Sequence, residues 1–173
     1  MDKDKLIYLA GSCSKDQREV MVRIAKLLRD NGYNLYCPFE LKIENAWDYS
    51  QEDWAQKVFD ADLDALNRAE LFLMITPGRN GTAGTNWEQG YMYANKKPIV
   101  VVQITDDETS LMTFCSADSF SNATMENLED TILNAVANSV PRNKCKTVLT
   151  RTKAYLPEST GILIKEFEND LEK

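Results

Sequence analysis

Leu71-Phe-Leu-Met-Ile-Thr76 and Ile99-Val-Val-Val-Gln-Ile104 are two short apolar runs that enclose the stretch Gly78-Arg-Asn-Gly-Thr-Ala-Gly-Thr-Asn-Trp-Glu-Gln-Gly-Tyr-Met-Tyr-Ala-Asn-Lys-Lys-Pro98. Both runs are rich in branched residues and bounded by Pro or Gly, which is typical of strands buried in a parallel sheet. The enclosed stretch predicts a glycine loop and about three turns of helix, which completes a βαβ unit. Ligands bind at the carboxyl ends of strands in such sheets, where this helix begins.

Glu88 lies at the chemical centre of this stretch and has two interpretations. The sequence Thr85-Asn-Trp-Glu88 fits a capping box, in which the carboxylate only ties down the first helical turn. Alternatively, Glu88 faces a ligand, because the preceding glycines allow close approach to the backbone and three aromatic residues could wall a flat organic group. Those aromatic residues are Trp87, Tyr91 and Tyr93.

Composition favours a single domain that acts on a small molecule. The chain has 173 residues, 43% of them hydrophobic, which is enough to bury one core. The formal charge is -7, and Lys and Arg form no patch, so a nucleic acid polymer or an anionic membrane is a poor partner. No stretch approaches the roughly 18 apolar residues of a membrane span. We expect a cytoplasmic protein.

The cysteine and histidine content excludes several kinds of site. The four cysteines show no CxxC spacing and the chain contains no histidine, so zinc sites and His-dependent nucleophiles are not expected. Acid-base chemistry must therefore come from carboxylates, Tyr or Lys. The phosphate-binding motif GxxxxGK[ST] and the dinucleotide motif GxGxxG are both absent. No metal and no cofactor are predicted.

The remainder of the chain alternates strands and helices. Apolar periodicity predicts strands at 6–10 and 33–37, and helices at about 15–31, 51–67 and 125–138; residues 111–118 could be a short helix or an irregular element. We expect one α/β domain over residues 1–140, with residues 141–173 as an extension packed on it.

Asp62 lies on the apolar face of the second helix, four residues after Val58 and four before Leu66. An acid at such a position must be paired or must border a cavity, since burying a lone carboxylate is costly. A structural ion pair and a functional acid both remain open. Asp64 is directed outward by comparison.

Four sequence motifs in order and in register resemble the nucleoside 2-deoxyribosyltransferase family over about the first 120 residues. They are Tyr8-Leu-Ala-Gly-Ser12, Val58-Phe-Asp-Ala-Asp-Leu63, Gly84-Thr-Asn-Trp-Glu-Gln-Gly-Tyr91 with Lys97-Pro98, and Ser110-Leu-Met112. The resemblance implies a flavodoxin-like parallel sheet between helices. It also implies a retaining double displacement at the N-glycosidic bond of a 2′-deoxynucleoside.

The resemblance further implies a role for individual residues. Glu88 falls on the family's nucleophile, Tyr8 on the tyrosine that orients it, and Asp62 on the acid that meets the departing base. A helix N-terminus would keep Glu88 ionised, while desolvation would keep Asp62 protonated. Homo-oligomers are implied in which the loop ending at Ser110-Leu-Met112 completes a neighbour's pocket. The implied substrate contacts are Gly11, Ser12, Thr82, Gly84, Trp87, Ser110 and Met112.

Two positions depart from the transferase pattern. The family usually carries a base-binding Asp where this chain has Thr82, and an Asn that holds the 5′-hydroxyl where it has Ser110. Small hydroxyls here are closer to the related deoxynucleoside 5′-monophosphate N-glycosidases, which hydrolyse their substrate. Their basic phosphate ligand has no clear counterpart, because Ser14 occupies that position, with Lys15 and Arg18 nearby.

The sequence therefore predicts a salvage enzyme that transfers 2-deoxyribose between bases. The alternatives are a 5′-monophosphate N-glycosidase and a non-catalytic nucleotide-binding module in which Glu88 is only a helix cap. Its expected partners are nucleosides or nucleotides, free nucleobases and further copies of the chain.

Overall fold

The computed structural model describes residues 2–139, except the side chains of residues 15, 16 and 80. Its strands form one sheet in which every pairing is parallel, in the order β2-β1-β3-β4-β5. This order is the flavodoxin-like one, and it confirms the expected fold class. The strands are β1 (Leu6–Ala10), β2 (Asn34–Tyr36), β3 (Leu71–Thr76), β4 (Ile99–Gln103) and β5 (Ser119–Asn122).

Helices cover both faces of the sheet. They are α1 (Lys15–Asp30), α2 (Gln51–Arg68), α3 (Ala83–Ala94), α4 (Leu111–Ser116) and α5 (Leu128–Ala137). Within the described part of the chain, no helix is long and apolar enough to cross a membrane.

Alternation along the strands divides the core into two layers. Ile7 and Leu9 of β1 pack in the layer formed with α1 and α5. Tyr8 and Ala10 point to the opposite face, where they pack in the layer formed with α2 and α3. The helix predicted at about 15–31 is observed as α1, and its apolar residues Ile24 and Leu28 are fully buried. The layer that contains Tyr8 is the one that builds the site described below.

The α2 helix covers the sheet only with its last turns. Ala65 and Leu66 are its buried residues, and they pack in the same layer as Tyr8. Trp54 and Phe59, earlier in the helix, are 43% and 45% exposed. The apolar face of α2 therefore extends beyond the sheet, and its N-terminal half is available to form one wall of a cavity.

The strand β5 was not predicted from the sequence. Its residues Ser119-Phe-Ser-Asn122 carry neither an apolar run nor a strict apolar alternation. It forms because it pairs with β4 at the edge of the sheet, where one neighbour is enough. The segment 111–118 begins as the short helix α4, and the helix predicted from residue 125 begins at Leu128. The predicted extension, residues 141–173, lies outside the described residues.

Candidate active site

Glu88 and Tyr8 form the central pair of the site. The Tyr8 hydroxyl donates a hydrogen bond of 2.6 Å to Oε1 of Glu88. Tyr8 is fully buried in the middle of β1, whereas Glu88 reaches it from α3. Because Tyr8 cannot move without disturbing the core, its hydrogen bond fixes the orientation of the carboxylate. The structure thus brings together the first two residues predicted for catalysis.

The capping-box interpretation of Glu88 is wrong. The helix begins at Ala83, and its cap is Thr82, whose side-chain oxygen accepts a hydrogen bond of 3.3 Å from the Thr85 amide. Glu88 therefore lies in the second helical turn, and the first turn contains no acidic residue. Its carboxylate does not cap the helix, since Thr82 accepts the hydrogen bonds of the Thr85 and Asn86 amides.

The pKa of Glu88 also differs from the sequence-based expectation. Burial raises the pKa of Glu88 to about 7; the Tyr8 hydrogen bond acts against this increase, and the negative charge of Asp62 adds to it. A helix N-terminus does not keep this carboxyl ionised, because its distance from the first turn weakens the dipole's effect. Glu88 can therefore exchange a proton near neutral pH.

Asp62 supplies a second carboxyl group on the other side of the same cavity. The Tyr36 hydroxyl donates a hydrogen bond of 2.7 Å to its Oδ1 atom. Burial raises the pKa of Asp62, and the Tyr36 hydrogen bond partly reverses the effect. Asp64, by contrast, is exposed and pairs with Arg68, as its outward position predicted. Among the described residues Asp62 has a neutral hydroxyl as its partner and forms no ion pair, so the structural ion pair considered from the sequence is not observed. Its catalytic role stays a prediction.

Sequence analysis missed Tyr36 as part of the site. It lies in the short strand β2, directly beside Tyr8 in the sheet register. The signal that could have identified it is a tyrosine at the same register position as Tyr8 on a neighbouring parallel strand. Parallel register, however, cannot be read from one sequence, because it depends on the pairing of distant segments.

A cavity of about 470 Å³ lies between α2 and α3, with the two carboxyl groups on its wall. Phe59 and Trp87 both line it and contact each other, with ring centroids 5.7 Å apart, and Trp87 stacks on Tyr91 at 5.5 Å. Of the three aromatic residues expected to wall a ligand, only Trp87 lines this cavity: Tyr91 stacks behind Trp87, and Tyr93 lines a separate cavity. The cavity volume suits a small organic ligand. The lining residues are Trp54, Ala55, Val58, Phe59, Asp62, Leu63, Leu66, Gly84, Trp87 and Glu88.

Two predicted contact residues belong to the turn after β1. A β-carbon at Gly11 would lie 2.5 Å from Sδ of the buried Met21, so a larger residue there would require Met21 to shift. Ser12 is buried, and its Oγ accepts a hydrogen bond of 3.1 Å from the Ser14 amide. Burial raises the pKa of the Cys13 thiol, and the charges of Glu88 and Asp62 raise it further. The turn is thus within electrostatic reach of both carboxyl groups.

Thr82 and Gly84 both lie at the start of α3, but only Gly84 lines the cavity. Gly84 lines the cavity, and a β-carbon there would meet nothing within 4 Å, so the backbone is open to a ligand. Thr82 is not among the lining residues. Its hydroxyl is 2.7 Å from that of Thr85 and also caps the helix. The hydroxyl expected to contact substrate is therefore engaged within the protein.

Ser110 and Met112 are on the opposite side of α3 from Glu88. They line a separate cavity of about 360 Å³ together with Asn86, Gln89, Gly90, Tyr93, Thr113, Cys115 and Ser116. Met112 is 80% exposed. Within one chain these two predicted contact residues do not reach the Glu88 cavity. Their place in a neighbour's site stays a prediction.

No metal-binding cluster is evident in residues 2–139, where no three His, Cys, Asp or Glu side chains are grouped to hold an ion. The two carboxyl groups instead receive hydrogen bonds from tyrosines. The described part of the site therefore offers paired acids and an aromatic cavity.

Comparisons with known proteins agree with this geometry. The family model described as nucleoside 2-deoxyribosyltransferase matches residues 7–165. A solved 2-deoxyribosyltransferase from Bacillus psychrosaccharolyticus is 27% identical, with a TM-score of 0.59, covering 73% of this chain and 90% of that one. No curated protein sequence matches significantly.

Two further solved structures share the fold at lower identity. A conserved protein from Enterococcus faecalis is 19% identical, with a TM-score of 0.58, covering 76% of this chain and 98% of that one. The CMP N-glycosidase of Clostridium botulinum is 16% identical, with a TM-score of 0.51, covering 77% of this chain and 99% of that one.

Proposed function

Because the chain belongs to the nucleoside 2-deoxyribosyltransferase family, we propose that it cleaves the N-glycosidic bond of 2′-deoxynucleosides and transfers the sugar to another nucleobase. The observation that supports this most is the buried Tyr8–Glu88 pair at the wall of an aromatic cavity that holds a second carboxyl group. Retaining glycoside cleavage uses two carboxyl groups, one as the nucleophile and one as the acid and base.

In the first half of the reaction, the ionised Glu88 attacks the anomeric carbon of the sugar. A bond forms between a carboxylate oxygen and this carbon, while the bond from the carbon to the base nitrogen breaks. Tyr8 holds Oε1, so Oε2, which has no hydrogen bond within the described residues, is the oxygen available for attack. The departing base takes its electron pair with it and accepts a proton from Asp62.

In the second half, a different base completes the transfer. Its nitrogen attacks the anomeric carbon, the ester bond to Glu88 breaks, and Asp62 takes back the proton. Phe59 and Trp87, which line the cavity, provide flat apolar contacts that suit either base.

Hydrolysis of deoxynucleoside 5′-monophosphates is the second candidate function. Thr82 and Ser110 are the residues that favour it, since small hydroxyls at these positions resemble the related N-glycosidases. In the structure, Thr82 is engaged as a helix cap and Ser110 lies across α3. The engagement of Thr82 as a cap supports the transferase more than the phosphate-binding alternative, whereas the position of Ser110 within one chain favours neither. A non-catalytic nucleotide-binding module is the third candidate. It was based on Glu88 acting only as a helix cap, and Thr82 is the cap instead.

The reaction is tested by incubating the protein with one 2′-deoxynucleoside, with and without a second free base, and separating the products by chromatography. Exchange of the base without free 2-deoxyribose is expected. Mass spectrometry should detect a deoxyribosyl adduct on the peptide containing Glu88, and Glu88→Ala should abolish both turnover and adduct. Turnover of more than a few percent in Glu88→Ala would refute the nucleophile, and free deoxyribose as the sole sugar product would favour the hydrolase.

The proposal includes a shared active site between copies of the chain. Ser110 and the exposed Met112 would complete the pocket of a neighbour, since they cannot reach Glu88 within one chain. Mixing two inactive proteins tests this: one carries Glu88→Ala and the other Ser110→Ala with Met112→Ala. Recovery of activity on mixing is expected only if an intact site can form from two chains. The shared site would be contradicted if the Ser110→Ala, Met112→Ala variant were fully active as a monomer. It would also be contradicted if the mixed variants exchanged subunits without recovering activity.

A further inference from the structure

Three aromatic rings stand side by side on the face of the sheet below the active site. Tyr36, Tyr8 and Phe72 occupy matching register positions on β2, β1 and β3. The Tyr8 ring stacks on both neighbours, with centroid distances of 5.4 Å to Tyr36 and 5.7 Å to Phe72. These distances follow from the spacing of adjacent strands, so the sheet itself sets the positions of the rings.

The two tyrosines of this row each hold one of the two carboxyl groups. The Tyr8 hydroxyl donates to Oε1 of Glu88 at 2.6 Å, and the Tyr36 hydroxyl donates to Oδ1 of Asp62 at 2.7 Å. The Oδ2 atom of Asp62 makes no hydrogen bond within the described residues. Tyr36 is packed against the core but is less buried than Tyr8.

We propose that Tyr36 is a positioning residue for Asp62, the counterpart of Tyr8 for Glu88, and that it directs the proton-bearing Oδ2 atom toward the leaving base. This inference rests on the proposed function and adds a specific role to a residue of the same site. Because Oδ1 accepts the Tyr36 hydrogen bond, the neutral acid carries its proton on Oδ2. As that proton moves to the base nitrogen, the O–H bond of Asp62 breaks and negative charge develops on its carboxylate.

The hydrogen bond from Tyr36 strengthens as this charge develops. A neutral hydroxyl binds a carboxylate more strongly than a neutral carboxyl, so Tyr36 stabilises the transition state more than the ground state. The titratable groups that share this environment with Asp62 are Tyr36, Tyr8, Cys13 and Glu88. The charge of Arg68 also acts on Tyr36. Only Tyr36 donates a hydrogen bond to Asp62 within the described residues.

Tyr36→Phe tests the proposal, because it removes the hydroxyl and keeps the ring that stacks on Tyr8. Two substrates are compared: a natural 2′-deoxynucleoside, whose base needs a proton to leave, and 4-nitrophenyl 2-deoxyribofuranoside, whose nitrophenolate leaves without one. Tyr36→Phe should lower kcat on the natural substrate by about tenfold, a fraction of the roughly 10²–10⁴ that a general acid supplies, and leave kcat on the nitrophenyl substrate nearly unchanged. Tyr8→Phe, the matched control, should lower kcat on both, since both need Glu88.

The pH dependence separates positioning from a structural role. The ratio of the natural to the nitrophenyl rate cancels the titration of Glu88 and reports that of Asp62, because only the natural substrate needs the acid. The ratio falls as pH rises and Asp62 loses its proton. Removing the Tyr36 hydrogen bond destabilises the carboxylate, so the fall should occur at higher pH in Tyr36→Phe. Equal losses on both substrates, or a fall at an unchanged pH, would overturn the proposal.

A measurement that needs no turnover distinguishes this proposal from the proposed function. Carboxyl ¹³C NMR follows the titration of Asp62 directly in the wild type and in Tyr36→Phe. A higher Asp62 pKa in the variant is expected, while thermal unfolding shows that both proteins are folded. An unchanged Asp62 titration would refute the role of Tyr36 even in an active enzyme. If neither substrate is turned over by the wild type, the proposed function fails, and the NMR titration still decides whether Tyr36 controls Asp62.

Discussion

Asp62 and Glu88 carry the same side-chain chemistry, and their surroundings bear on the two different roles proposed for them. Both carboxyl groups have a raised pKa chiefly because of burial, and each receives one tyrosine hydrogen bond. Glu88 is held against the buried β1, whereas Asp62 sits on α2 at the cavity wall. A carboxylate held by the fully buried Tyr8 suits the covalent attack proposed for Glu88, and a carboxyl group at the cavity wall suits the proton exchange proposed for Asp62.

Asp62→Asn should discriminate between substrates by their leaving groups. Loss of the acid is expected to lower kcat on a natural deoxynucleoside by about 10²–10⁴ and to change cleavage of the nitrophenyl deoxyriboside little. Asp64→Asn is the matched control, because Asp64 is exposed and pairs with Arg68 outside the cavity. Equal losses on both substrates in Asp62→Asn would indicate a binding or structural role.

Glu88→Gln should change stability in a pH-dependent way. The folded-state pKa of Glu88, about 7, lies above its ordinary value of 4.5, so the folded protein keeps a proton that the unfolded chain has lost. Stability from this group is complete below about pH 4.5 and is lost as pH rises to 7. The amide resembles the protonated acid. The variant should therefore match the wild type at pH 4 and exceed it by up to roughly 3 kcal/mol above pH 8.

Urea unfolding at pH 4, 6 and 8.5 measures this difference between the Glu88→Gln and wild-type proteins. Asp64→Asn serves as the control, since its carboxylate is exposed and its substitution should give a difference that varies little with pH. A Glu88→Gln effect of the same size at all three pH values would show that burial does not penalise the charge.

At the scale of elements, most helices and strands were predictable because their apolar patterns are local. β3 and α2 follow from an apolar run and a helical stripe, and β3 was predicted with its observed bounds. β5 was not predicted, since its four residues become a strand only by pairing with β4. The Thr85–Glu88 pattern imitates a capping box, which would begin α3 at Asn86. The helix begins three residues earlier, at Ala83, because Thr82 provides the cap. The Tyr36–Asp62 contact required the parallel register of β1 and β2, which one sequence does not encode locally.

Thr82→Ala tests whether this residue serves the helix or the substrate. Loss of the cap should cost about 0.5–2 kcal/mol of stability, and turnover of deoxynucleosides measured well below the unfolding temperature should stay close to wild type. Thr82→Ser keeps the hydroxyl and should restore most of the stability. Urea unfolding and steady-state kinetics provide the two readouts. A large rise in KM for Thr82→Ala without loss of stability would show instead that the hydroxyl contacts substrate.

At the scale of the whole molecule, net charge and the position of the cavity decide which form of substrate is preferred. A 5′-phosphate carries close to two negative charges and normally requires a basic side chain or several backbone amides. The chain has a formal charge of -7, so its long-range field opposes the approach of a dianion. Both carboxyl groups of the site add to this field locally when they are ionised.

Deoxynucleosides should therefore have a higher kcat/KM than their 5′-monophosphates. One candidate phosphate contact is already engaged within the protein, because the hydroxyl of Thr82 caps α3. Arg18 lies close enough to lower the pKa of the Cys13 thiol, but the charges of Glu88 and Asp62 act on that thiol in the opposite sense. Steady-state kinetics on deoxycytidine and its monophosphate at low and at 0.5 M salt measure the preference. Added salt should narrow the difference by screening repulsion. Higher kcat/KM for the monophosphate, with deoxyribose 5-phosphate as product and no exchange of base, would refute the transferase and support the hydrolase.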